Sequence, residues 1–294
     1  PDYPHHLGDD WGLPYRQQRI GQLLEAKPRH DRDGLLAMQL DTHSLAAARL
    51  LPWLQRAPSS HRLAAAARAQ LQGFDGTMDA QRAGPLIFWA WQRQLARALF
   101  LDDAGTALWD RALAGRHFQD ALEGVLARDD ATWCDDRGTP APETCAQQTG
   151  LALDRALDEL AARFGDDPAQ WRWGQAHRVR AEHRPFSHVP VLAKLFELSV
   201  PMGGDTHALV ATRVVLRPDA RTGDLYHSDH AASLRAVYDL ADRRQSRAMH
   251  SSGQSGHVLS PHYRDFVGPW SRGEALPLWP EGPPAAVLRV QPAP

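Results

Sequence analysis

The sequence predicts an α+β protein: a large helical segment followed by a strand-bearing segment. Three observations carry this. Apolar residues recur at helical spacing through residues 1–165. Near residue 166 the period changes to the twofold alternation of strands. Between the later apolar runs lie loops rich in Gly, Ser, His and Asp.

Residues 16–25 and 44–55 read as helices, and 61–72 as an Ala-rich helix stopped by Gly73. Pro85 stands at a first-turn position before residues 86–101, where Ile87, Trp91, Leu95 and Leu99 recur at steps of four. A further helix is expected over 108–127. Residues 129–148 read as a loop, with Gly138, Pro140, Pro142 and both cysteines. In 151–164, Leu153, Leu157, Leu160 and Phe164 form one helical face, with Arg155, Asp158 and Glu159 opposite. A short helix is expected over 190–198. Residues 208–216 form a buried β-like run ending at Arg217-Pro218. In 234–240, Leu234, Ala236, Tyr238 and Leu240 alternate with Arg235, Val237 and Asp239, and residues 286–290 repeat the alternation before a Pro-rich tail.

Composition bounds the function. At roughly 150 residues per domain, 294 residues make about two domains or one large one. The 33 Lys+Arg against 35 Asp+Glu give a net charge of -2, which removes the footprint of a general nucleic-acid binder. No apolar run approaches the roughly 18 residues of a membrane span, and no segment has the pattern of a signal peptide. The chain opens at Pro1 without Met, which points to the C-terminal piece of a longer or processed polypeptide. It contains no Asn, and Lys only at Lys27 and Lys194, a bias of genome composition.

Several constellations invite chemistry. His227-Ser228-Asp229-His230 is an H-x-x-H, but it follows Gly223 in a loop and not on a helix, so a polar loop is favoured over a metal site. His177, His183 and His188 cluster in sequence without a ligand frame. Gly253-Gln254-Ser255-Gly256 suggests a nucleophile elbow, yet His257 stands where the second Gly belongs and Pro261 blocks a following helix; a tight turn is expected. Met202-Gly203-Gly204-Asp205 lacks the Lys and helix of a phosphate cradle. Trp89, Trp91, Trp171 and Trp173 read as core before ligand platforms. Cys134 and Cys145, eleven positions apart, have no zinc signature; they form one disulfide in an oxidising compartment or two thiols in a reducing one.

The fragments taken in order resemble the C-terminal part of the β-chain of the penicillin amidase (penicillin/cephalosporin acylase) family of N-terminal-nucleophile hydrolases. Asp2-Tyr3-Pro4, Leu7-Gly8, Asp10-Trp11 and Tyr15-Arg16-x-x-Arg19-Ile20 are similar to the segment just after the family's oxyanion Asn. Phe74-Asp75-Gly76 stands where the family usually has Trp-Asp-Gly. Trp133-Cys134-Asp135-Asp136 and Glu143-Thr144-Cys145 resemble a subset with paired cysteines. Trp171-x-Trp173-Gly174, Gly204-Asp205-Thr206, Ser233-Leu234-Arg235, Gly253-Gln254-Ser255-Gly256, His262-Tyr263 and Trp270 continue the match. Ala208-Leu209-Val210 departs from the Thr-Val-Asn of many members.

The resemblance implies a fragment of the αββα fold, helical over 1–165 and contributing strands to the core sheets over 166–294. It implies hydrolysis of a linear amide in a small acylated amine, a chemistry tied to antibiotic metabolism. The nucleophile is the hydroxyl of a β-chain N-terminal Ser, and its own α-amine is the base. That Ser and the oxyanion Asn are expected upstream of Pro1, so the fragment alone is expected to be inactive. Arg16 matches the family's active-site Arg, which supports the oxyanion site. The expected partners are the α-chain and the N-terminal part of the β-chain, with no nucleic acid and no membrane span. Cys134 and Cys145 are expected to be bonded, in a periplasmic or secreted protein. No cofactor is implied for the chemistry. A structural Ca²⁺ is implied for some members, with a ligand in the segment that includes Asp9 and Asp10, but no ligand is assigned. The competing readings are a non-enzymatic helical binding module and, more remotely, a Pro1 base as in tautomerases, which needs a β-α-β start that residues 1–30 lack.

Overall fold

The computed structural model describes residues 4–9, 11–113, 118–279, 282–283 and 286–291. Asp2, Tyr3 and Asp10 of the opening motif, residues 114–117 of the helix expected over 108–127, and residues 292–294 of the tail lie outside them.

The helices are α1 (Tyr15–Glu25), α2 (Arg32–Met38), α3 (Leu45–Arg56), α4 (Ala64–Leu71), α5 (Gly84–Leu113), α6 (Phe118–Arg128), α7 (Ala131–Cys134), α8 (Cys145–Phe164), α9 (Trp173–Ala176), α10 (Pro190–Phe196) and α11 (Val267–Ser271). Their starts follow from local chemistry. Asp31 Oδ1 accepts from the Gly34 amide at 2.7 Å, and Ser44 accepts from the Ala47 amide, each supplying an N-terminal donor with a partner. The long pair α5 and α8 centres the core. Leu86, Ile87, Trp91, Leu95 and Leu99 on one helix, and Leu157 and Leu160 on the other, are completely buried. The period-four comb read from the sequence is therefore the packing face. Gly105, at φ 68, breaks α5 because only Gly adopts that backbone at little cost.

Residues 129–148 are not wholly loop. Asp130 caps the short α7, and α8 begins at Cys145 instead of near 151. A reciprocal Thr144–Gln147 capping box starts it. Cys134 and Cys145 are bonded, with Cα atoms 4.9 Å apart, which ties the end of α7 to the first turn of α8. Replacing both by Ala is expected to cost about 2–3 kcal/mol, the loop-closure value for this spacing. Denaturant titration reads that loss; a midpoint equal to wild type, or two free thiols in native non-reduced protein, would contradict it.

Seven strands follow: β1 (Arg178–Ala181), β2 (Leu198–Pro201), β3 (Thr212–Val214), β4 (Ser228–Ala231), β5 (Leu234–Val237), β6 (Arg247–His250) and β7 (Leu276–Pro277). One sheet has the order β2-β1-β4-β3, the other β5-β6-β7. β1 runs antiparallel to β2, with Val179 opposite Val200, and parallel to β4. Val214, Leu216, Leu225 and Tyr226 join the same buried cluster as α5 and α8, so the core crosses residue 165.

Three strand expectations need correction. Within the run 208–216 the regular strand is confined to Thr212–Val214, with an isolated bridge from Ala211 to Asp205, because Asp205 and Gly204 hold the preceding residues in a turn. The strand expected over 234–240 ends at Val237, and its buried face is that of Arg235 and Val237. Arg235 and Val237 are each 8% exposed, against 57% for Leu234. Arg235 tolerates burial because its guanidinium lies 4.9 Å over the Trp270 ring and donates to the Trp270 carbonyl at 2.7 Å. Residues 286–290 form no strand, and Val287, Leu288 and Val290 are exposed. Among the described residues, no helix is long and apolar enough to cross a membrane.

Candidate functional site

Helix α1 is held at its first turn by two side chains that flank Arg16. Tyr15 is buried, and its hydroxyl donates to the Glu123 carboxylate on α6. The Arg49 guanidinium sits 5.3 Å from the Tyr15 ring and 3.5 Å from Glu123. Gln119 also donates to Glu123, at 3.1 Å. Burial, reinforced by Glu123, pushes the Tyr15 phenol well above its usual pKa. One turn later Arg19 makes a bidentate pair with Asp41, at 3.0 and 2.7 Å. Asp41 in turn accepts from the His43 amide at 3.2 Å.

Arg16 stands exposed between these two anchors. Its electrostatic neighbour is His207, whose ring meets Tyr15 edge-on at 5.4 Å. Burial pushes the His207 imidazole below its usual range; the Asp205 carboxylate opposes that shift and the Arg16 guanidinium adds to it. Asp205 is fully buried. One oxygen accepts from the backbone amides of His207 and Ala208, both at 2.7 Å, while Oδ2 has no partner. The arrangement presents a guanidinium on a rigid helix start, with a neutral imidazole and a buried carboxylate behind it. Such a group can bind or stabilise negative charge on a molecule docked in front of it.

The other sequence candidates separate. Ser255 lies in a turn packed on residues 261–263: its amide donates to the His262 carbonyl at 3.0 Å, and a Cβ on Gly253 would lie 1.8 Å from that oxygen. That close approach is the reason for Gly. The Gly203-Gly204 loop runs along Met78, whose carbonyl accepts from the Gly204 amide at 2.8 Å. Trp91, Trp171 and Trp173 are completely buried, and the indoles of the last two donate to the Gly165 and Gly204 carbonyls. His183 stacks on Phe186 at 5.0 Å. His227 is buried 3.9 Å from Asp219, and His230 lies in β4. Among the described residues, no group of three or more His, Cys, Asp or Glu could hold a metal ion. Asp9 pairs with His6 at 3.6 Å, and both are exposed; Asp10 is outside the described residues.

The geometry gives roles to residues that the sequence reading named only within motifs or not at all. Tyr15, Asp41, Asp205 and His207 build the surroundings of Arg16. His177, completely buried, ties together elements of the strand-bearing half: Nδ1 donates to the Tyr226 carbonyl at 2.7 Å and Nε2 lies 2.9 Å from the Thr212 hydroxyl. Asp205 stood in the sequence only as part of the Gly203-Gly204 loop and of the Gly204-Asp205-Thr206 fragment, with no role attached.

The comparisons with known proteins agree with the α+β fold. The penicillin amidase family model matches residues 1–282, and the chain belongs to that family. It is 27% identical to the acyl-homoserine lactone acylase QuiP of Pseudomonas aeruginosa, over 96% of this chain and 36% of that protein. It is 30% identical to penicillin acylase 2 proenzyme of a Pseudomonas species, over 94% of this chain and 34% of that protein. The chain thus spans about a third of the length of the curated relatives it matches. The fold is also that of a solved thermostable penicillin G acylase from Alcaligenes faecalis, with a TM-score of 0.57 at 14% identity, covering 100% of this chain and 56% of that one.

Proposed function

We propose that this chain is the C-terminal part of the β-chain of an acylase that hydrolyses a linear amide, releasing a carboxylic acid and an amine. The observation that carries the reading is the family match over residues 1–282, combined with a span of about a third of the relatives' length. Amide hydrolysis needs a nucleophile, a base and a site for the oxyanion. In this family reading the first two come from one residue, an N-terminal Ser whose α-amine takes the hydroxyl proton. An Asn side chain and backbone amides hold the oxyanion. The 294 residues contain no Asn, so that donor belongs upstream with the Ser.

Within the reading, Arg16 supports the oxyanion site. Tyr15 and Arg19 fix the helix that carries it, so the guanidinium needs little reorganisation as charge develops. The upstream α-chain and the N-terminal part of the β-chain complete the site. The substrate is a small acylated amine, in the class to which acyl-homoserine lactones and penicillins belong. The Cys134–Cys145 bond supports a periplasmic or secreted location.

The test compares residues 1–294 with the complete polypeptide on a panel of phenylacetyl, fatty-acyl, glutaryl and homoserine-lactone amides. The complete polypeptide is expected to turn over at least one of them, and residues 1–294 none. Turnover by residues 1–294 alone would overturn the upstream nucleophile and return attention to Ser255 and the His227/His230 pair.

A further inference from the structure

Between the last turn of α8 and the strands β1 and β2 lies a cavity of about 430 Å³. Two arginines border it without a carboxylate to pair with. Arg163, in the last turn of α8, donates from Nη1 to the Gly223 carbonyl at 3.3 Å. Arg178, the first residue of β1, donates from Nε to the Ser199 hydroxyl at 3.1 Å and from Nη2 to the Ser199 carbonyl at 3.3 Å. Among the described residues neither guanidinium makes an ion pair. A guanidinium carries five N–H donors, so each keeps donors free for a ligand.

Arg180 borders the same cavity, and its charge is already spent. Two residues on from Arg178, it shares that face of β1. It pairs with Glu197 and Asp219, each at 3.2 Å, and Asp224 lies 3.7 Å away. Glu197 and Asp224 are the acids of the cavity wall, and Arg180 engages both. Arg163 and Arg178 therefore leave the cavity with positive charge that its own acids do not cancel. His227 gives an independent sign of a ligand. It borders the cavity and is only 7% exposed, and its Nδ1 is buried without a hydrogen-bond partner. Nε2 stands 3.9 Å from Asp219, beyond hydrogen-bond reach. Buried ring nitrogens are rarely left unbonded, and an atom held in the cavity would give this one its partner.

We infer that this cavity binds a small oxyanion, the phosphate or carboxylate group of a small molecule, held by Arg163 and Arg178 and completed by His227. The planar fork of a guanidinium matches two oxygens of either group, and such charge-assisted bonds are the strong ones. A neutral imidazole can donate from Nδ1 to an anionic oxygen in one tautomer, or accept from a protonated oxygen in the other. Glu197 and Asp224 in the same wall repel an extended polyanion, so the fit is to one isolated oxyanion. Its binding would also join the end of α8, through Arg163, to the first strand of the sheet, through Arg178.

The test is calorimetric titration of the complete polypeptide with inorganic phosphate and, separately, with acetate, at constant ionic strength. At least one of them is expected to bind saturably at a single site, and the tighter of the two names the group. Arg163→Gln and Arg178→Gln are each expected to raise Kd by about tenfold or more. Arg163 is exposed and Arg178 half-buried, and neither belongs to the apolar core, so both variants should fold. Arg97→Gln is the control for general charge: this arginine is exposed on α5 outside the cavity, and its loss is expected to leave Kd unchanged. Saturable binding by neither probe, an unchanged Kd in either cavity variant, or equal weakening by Arg97→Gln would each overturn the inference.

Discussion

Arg16→Ala in the complete enzyme is expected to lower kcat/KM by about 10²–10³, the usual cost of removing one oxyanion-type donor. The side chain is exposed and fills no core space, so the folded state should lose little. Tyr15 and Arg19, which do hold α1 in place, remain in the variant. The loss should therefore fall on the transition state. Charge develops on the carbonyl oxygen as the tetrahedral intermediate forms, and a fixed guanidinium gains interaction energy in that step. Arg16→Lys should recover only part of the activity, because an ammonium is a compact point charge without the planar fork of donors. Arg19→Ala gives the contrast. It removes a bidentate pair with Asp41 and loosens the helix, so it should lower the denaturation midpoint together with activity. If Arg16→Ala kept kcat/KM within about threefold of wild type, a change under 1 kcal/mol, Arg16 would be an ordinary helix-start arginine.

The distinction between Arg16 and its neighbours shows what a linear pattern carries. The motif Tyr15-Arg16-x-x-Arg19 locates the arginine, but what fixes it is distant. The Tyr15 partner lies 108 positions away and the Arg19 partner 22. No local spacing announces either pair. The helices were legible for the opposite reason. Leu153, Leu157 and Leu160 repeat at the period that defines a buried stripe, and all three are buried. The start of α8 was missed because Gly138, Pro140 and Pro142 dominate the reading of its approach, although Thr144 and Gln147 spell a capping box. In β5 the alternation was legible and its direction was not. The alternation alone did not say which set faces inward; the Trp270 ring and carbonyl satisfy Arg235 and bury its face.

Acid is expected to weaken this protein through His177. The imidazole is completely buried, stacks on Trp173 at 4.3 Å, and is hydrogen-bonded as the neutral ring between the Tyr226 carbonyl and the Thr212 hydroxyl. Burial pushes its pKa from 6.5 down to about 4; the Tyr226 hydrogen bond opposes the shift and His227 adds to it. The unfolded chain, with a histidine near the ordinary value, therefore binds a proton between about pH 6.5 and pH 4 that the folded protein does not. Stability rises with pH wherever the unfolded state holds more protons. The contribution is complete above about pH 6.5 and is lost as pH falls toward 4, for a total of about 3 kcal/mol. His207 and His227 are also lowered by burial and act in the same direction, so the test must isolate one ring. His177→Gln removes its titration while keeping a side chain that can donate and accept. The variant should be less stable at pH 7.5, where the neutral ring's packing and hydrogen bonds are lost. Between pH 6.5 and 4.5 its unfolding free energy should fall less steeply than that of wild type, by up to one proton's worth of slope. Chemical denaturation at several pH values in that window measures both slopes. Parallel curves would mean that His177 takes up its proton equally in the folded and unfolded states, and that the bond from the helical core through Tyr226 to β3 is not what acid breaks.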